Sequence, residues 1–164
     1  MRALAAAFVA VLLLAGCSTS SSSSGSRVEL YESVAGIVAD STLVVVARVT
    51  LQEDDDQPQA TRVSTLQVAE RFVPTGLGSD LPGTRLPDKI GDTVQVRQVV
   101  EPYMQPGESY LLFLRPSELP GDAAGQYFTT GADAGVYHVE GTDFVHGEFD
   151  GDTLPATLTR QDLG

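Results

Sequence analysis

Two imidazoles and one thiol, His138, His146 and Cys17, are the chain's whole supply of the side chains that most nucleophilic and metal chemistry draws on. The histidines lie near Glu140, Asp143 and Glu148, and imidazole nitrogen with carboxylate oxygen is a donor set that zinc accepts. On an alternating strand His138 and Glu140 share a face. No metal-ligand spacing is matched, however, so the simpler expectation is polar positions on a half-wet sheet. A serine nucleophile needs a sharp elbow, and Gly-x-Ser-x-Gly does not occur. Glu53-Asp54-Asp55-Asp56 offers hard oxygens to calcium but lacks the glycine and spaced ligands of a calcium loop, and Asp150-Gly151-Asp152 fails the same test. Both read as solvated charge, and no cofactor, metal ligand or catalytic residue is assigned. Tyr103, Tyr110, Tyr127 and Tyr137 could stack a ligand on a barrel face. Core and barrel-edge packing is the plainer expectation, above all for Tyr110.

What precedes the thiol decides how it can be used. Met1-Arg2 gives a positive start, and residues 3–15 form an apolar block of 13 residues. Signal-peptide cores have that length, whereas a bilayer-spanning helix needs about 20 apolar residues. The block reads as a leader, with an uncleaved anchor as the competing reading. It ends in Leu14-Ala15-Gly16-Cys17, which resembles the lipobox of bacterial lipoproteins. The resemblance implies cleavage between Gly16 and Cys17 after the sulfur has received a diacylglyceryl group. One acyl chain holds a protein marginally and two hold it stably, so a diacylglyceryl thioether suffices as an anchor. An alkylated Cys17 is also no catalytic thiol.

Residues 18–26 are serine apart from Thr19 and Gly25. Such a composition buries no apolar area and is expected to form a flexible tether of about 17 Å root-mean-square reach. The chain therefore divides into a leader at 1–16, a lipidated cysteine and linker at 17–26, and one domain at 27–164. The formal net charge is −12, and removal of Arg2 makes the mature chain one unit more acidic. That surface repels phosphate backbones, so nucleic acid is not an expected partner. With its only cysteine at the attachment point, the domain has no internal disulfide and must rest on apolar burial.

Within the domain, Ser26-Arg27-Val28-Glu29 has the form of a capping box, and Leu30, Val34, Ile37 and Val38 follow at helical spacing up to Asp40-Ser41. A short amphipathic helix is expected, weakened by Gly36. Residues 42–52 are β-branched and aliphatic on both parities, as in a strand covered on both sides. Charge and Pro58 should break it from Glu53 onward into an exposed hairpin loop. A second strand is expected over 61–73, with a bulge near Ser64 because Val63 has the wrong parity for Leu66, Val68 and Phe72. Residues 74–90 carry repeated Gly and Pro, and such long loops in compact domains serve function or are disordered. Pro74, Leu77, Leu81 and Arg85 are its candidate contacts for an envelope protein partner.

The alternation at 92–100 places Val94, Val96, Gln98 and Val100 against a wetter face that includes Arg97. Residues 110–114 are all apolar or aromatic, which marks a central strand covered on both faces. Short strands over 126–130, 135–140 and 144–149, with a last edge from Leu154, complete a small antiparallel sheet closed as a barrel or stacked as a sandwich.

This order, from Ala39-Asp40 and Leu43-Val44-Val45-Val46-Ala47-Arg48-Val49 through Val68-Ala69-Glu70-Arg71-Phe72 and Gly91-Asp92-Thr93-Val94 to Pro106-Gly107-Glu108-Ser109-Tyr110-Leu111-Leu112-Phe113, resembles the OB-type barrel of netrin-like and tissue-inhibitor-of-metalloprotease-like modules. It implies a mainly β, OB-like barrel with one short N-terminal helix. Those modules are disulfide-bonded and their inhibitors chelate zinc through a free N-terminal cysteine. This chain departs on both counts, so the fold is carried over and the inhibition is not. The expectation is a lipid-anchored, non-enzymatic binding or assembly module on the extracytoplasmic face of a cell membrane. The alternatives are a metal-assisted envelope hydrolase using His138 and His146, and a carrier holding a small apolar ligand in its barrel.

Overall fold

Aliphatic side chains on both parities of Leu43–Asp55 form the longest strand, β1, of the computed structural model, which describes residues 30–55, 61–72, 90–99, 101–147 and 153–163. The leader, Cys17 with Gly16, the serine stretch, the capping box at 26–29, the loop positions Pro74, Leu77, Leu81 and Arg85, and Glu148 lie outside these residues. After β1 come β2 (Thr61–Phe72), β3 (Thr93–Gln98), β4 (Ser109–Pro116), β5 (Tyr127–Thr129), β6 (Val136–Glu140), β7 (Asp143–His146) and β8 (Thr157–Leu158). One helix, α1 (Val34–Ala39), precedes β1.

The strands run β1-β2-β3-β5-β4, and pairing of β4 back onto β1 closes them into a five-stranded barrel of OB-like kind. A closed ring with an odd number of strands cannot be antiparallel throughout. The parallel contact falls between β3 and β5, at Val96↔Tyr127 and Arg97↔Phe128. The far edge of β4 is shared: β5 pairs with its last residues and β6 with Tyr110, Leu111 and Leu112, so that β6, β7 and β8 extend the sheet over the barrel's outside.

Strand alternation then builds two cores on opposite sides of the same strands. Leu43, Val45, Ala47 and Val49 of β1 meet Leu66, Val96, Leu112, Leu114 and Tyr127 inside the barrel. Val44 and Val46 meet Leu111, Phe113, Tyr137, Phe144 and Leu158 outside it, with Tyr31 and Ile37 from the α1 region. β4 is therefore buried on both faces over residues 110–114 and β1 over residues 43–47, as their composition predicts, while β1 is more exposed beyond Val49. The five residues from Tyr110 to Leu114 are all buried.

Three expectations change in detail. The helix begins at Val34, not near Ser26, because Ser33 takes the capping role: extended in backbone, its hydroxyl accepts the Gly36 N–H at 3.1 Å. Leu30 consequently stands outside the helix, 59% exposed, and Tyr31 fills the outer core in its place. β1 does not break at Glu53 but continues to Asp55, because β2 pairs with it throughout and puts Arg62 opposite Asp54. The extra residue expected near Ser64 lies across from it, in β1: pairing steps from Val49↔Leu66 to Leu51↔Thr65 and leaves out Thr50. A second step leaves out Ala69 of β2, and the two irregularities let a long ribbon curl around the barrel.

Candidate functional site

β6 and β7 pair Tyr137 with His146 and His138 with Val145. Directly opposite residues share a face and successive residues alternate, so the two imidazoles point to opposite sides of the hairpin. His146 is buried and its ring lies 4.5 Å from that of Tyr137 in the outer core. His138 is half-exposed, edge-on to Tyr110 with ring centres 5.3 Å apart, and its Nε2 is 3.2 Å from Glu108 Oε2. A site using both histidines is thus not assembled. Glu140 and Asp143 face each other at the exposed end of the hairpin. Among the described residues no group of three or more His, Cys, Asp or Glu is placed to hold a metal ion.

The tyrosines form no shared platform. Tyr110 and Tyr127 belong to the barrel interior and Tyr137 to the outer core. Burial raises the pKa of the Tyr127 phenol against the opposing pull of the Arg71 charge. Tyr103 is half-buried, with the Arg62 guanidinium 4.4 Å above its ring. Val45, Leu66, Val96, Leu112 and Leu114 pack together in the barrel interior.

A concave feature of the described surface lies where the end of the β1–β2 hairpin meets β3 and the segment between β4 and β5. It is a cleft of about 660 Å³. Its walls are the ends of β1 and β2 (Glu53, Asp54, Asp55, Val63), β3 (Gln95, Arg97) and the connection to β5 (Leu119, Pro120, Asp122, Gln126). That connection folds on itself: the Ser117 N–H donates to the Gln126 carbonyl at 2.8 Å, and Gly121–Ala123 makes one 3-10 turn between them. Its closed base brings Gln126 over β3.

The floor of the cleft is Arg97, 8% exposed. Its Nη1 donates to Asp55 Oδ2 at 2.6 Å and Thr61 Oγ1 at 2.8 Å, and its Nε donates to Gln126 Oε1 at 3.0 Å. Arg97 thereby ties β1, β2, β3 and the connection to β5 at one point. At the rim Arg62 Nε donates to Asp54 Oδ1 at 2.8 Å, which raises the arginine's pKa. Glu53 and Asp122 are exposed and have no cationic partner among the described residues.

Arg97 corrects the parity reading, which puts it on a wet face. The side of β3 opposite Val94 and Val96 is indeed outside the barrel, but the segment before β5 covers it there. An arginine alternating with Thr93 and Gln95 gives no sign of that cover. Asp55 likewise leaves the solvated charge run to become a half-buried ion-pair partner. Leu119, Pro120 and Asp122 sit in a stretch with no motif, and a long-range pairing brings them to the site.

No protein-family model matches the chain, and no curated protein matches it in sequence. Among the described residues no helix is long and apolar enough to cross a membrane.

Proposed function

We propose that the protein is a lipid-anchored module of the cell envelope, held by acylated Cys17 to the extracytoplasmic face of a membrane, and that it binds a partner without catalysing a reaction. The observation that carries the anchor is Leu14-Ala15-Gly16-Cys17 at the end of a positively started apolar block too short to span a bilayer. The likeness to netrin-like and tissue-inhibitor-of-metalloprotease-like modules is in keeping with a binding role. In OB-type barrels the β2–β3 face, with the β1–β2 and β4–β5 connections, is the usual ligand surface, and the cleft lies there. Its volume falls in the range of small-ligand sites, about 300–1,000 Å³.

Replacement of Cys17 by Ser tests the anchor: the variant is expected in the soluble fraction and wild type in the membrane pellet. Equal retention of both in the pellet counts against it. The hydrolase alternative predicts that excess zinc stabilises the protein, since any ligand favouring the native state raises its melting temperature. The binding reading predicts no shift with zinc or with calcium.

A further inference from the structure

We propose that the cleft recognises an uncharged, polyhydroxylated ligand, that is, a neutral glycan. This rests on the reading of the protein as a binding module, and it comes from how hydrogen-bonding capacity is distributed over the cleft. A guanidinium has five N–H donors. The Nε and Nη1 of Arg97 are engaged by Gln126, Asp55 and Thr61, while Nη2 has no acceptor among the described residues. The three bonds fix the guanidinium plane, so its remaining donors are already oriented when a ligand arrives, at no further entropic cost. Gln126 Nε2 is 3.4 Å from Gln95 Oε1, a long contact that a better acceptor would replace.

The rim has the opposite capacity. Glu53 and Asp122 are acceptors only, and Leu119, 37% exposed, adds an apolar surface beside them. An anion would satisfy Arg97 but meet the rim carboxylates, and a polyamine would satisfy the rim but meet a buried guanidinium. A hydroxyl both donates and accepts. A ring carrying several hydroxyls and an apolar C–H face can therefore use floor, rim and Leu119 together without introducing charge.

The test is a titration of the intact, isotope-labelled protein in detergent micelles, following the Arg97 Nε–H and Gln126 side-chain amide signals by NMR. The probes are a neutral glucose hexamer, an N-acetylglucosamine hexamer, spermine and inorganic phosphate. One of the two hexamers is expected to shift both signals saturably, and Asp122→Ala to weaken its binding about five- to tenfold, the loss of one solvent-exposed hydrogen bond. Glu53→Gln, a second exposed-site variant, should weaken it too, and neither variant should change the melting temperature. A response to spermine or phosphate alone overturns the glycan assignment while leaving a binding cleft. Hexamer binding unaffected by both variants overturns this location. Silence of all four probes at both signals overturns the glycan inference, and the anchored binding reading then stands or falls on its own test with Cys17→Ser.

Discussion

A methyl group at position 131 would have nowhere to go. Gly131 is left-handed, with φ of 68°, and a Cβ there would lie 2.6 Å from the Tyr31 ring, the residue that seals the outer core beside α1. Gly131→Ala is expected to cost about 1–3 kcal/mol from backbone strain and displacement of that ring, read as a lower urea midpoint. Two residues on, Asp133 is partly buried, and desolvation raises its pKa against the opposing attraction of His146. A raised carboxyl pKa means that the folded state holds the proton more tightly than the unfolded chain. Asp133 therefore lowers stability as pH rises from the unfolded value, about 3.9, through the raised folded value, and imposes no penalty below that window. Asp133→Asn should accordingly raise the melting temperature at neutral pH, with the gain vanishing in acid. A gain that persists unchanged in acid would contradict the assignment. At this scale the sequence tells little about the site: Arg97 and Asp122 carry no local signature, because Gln126, in a segment well beyond Arg97 in the chain, helps bury the first and a fold of that same segment places the second.

Strands are where composition speaks most directly. Buried on both faces, β4 has to be apolar on both parities, and residues 110–114 are. The consequence is measurable, since Leu112 faces the barrel interior and Phe113 the outer core. Leu112→Ala should cost about 2–5 kcal/mol and Phe113→Ala about 3–5 kcal/mol in denaturant unfolding. A strand covered on one side only would show one large effect and one small. The same logic made β1 legible, but its far end was not: Glu53-Asp54-Asp55 looks like a loop until Arg62 and Arg97, from two other strands, are set against it. Helix α1 shows the limit of a cap motif. Ser26, followed by Arg27-Val28-Glu29, has the form of a cap, but Ser33 is the residue that caps α1, beside Tyr31 and Ile37 of the outer core.

On the scale of the whole molecule, closure of β4 onto β1 gives the chain its shape and also its opportunity. At one end of the barrel the hairpin and the connection into β5 leave a cleft with the Arg97 guanidinium at its floor and carboxylates at its rim. That an antiparallel β module would form was readable from spacing and turn residues. Which strands would close, and that the ring would need one parallel contact, depended on pairings between residues far apart in sequence. The proposed anchor joins this barrel to a bilayer through one sulfur, and the intact mass of protein recovered from its host's membranes tests that most directly. It predicts a chain beginning at Cys17 and heavier than its residues by a diacylglyceryl group. A mass that retains Met1 and a free thiol at Cys17 would contradict it.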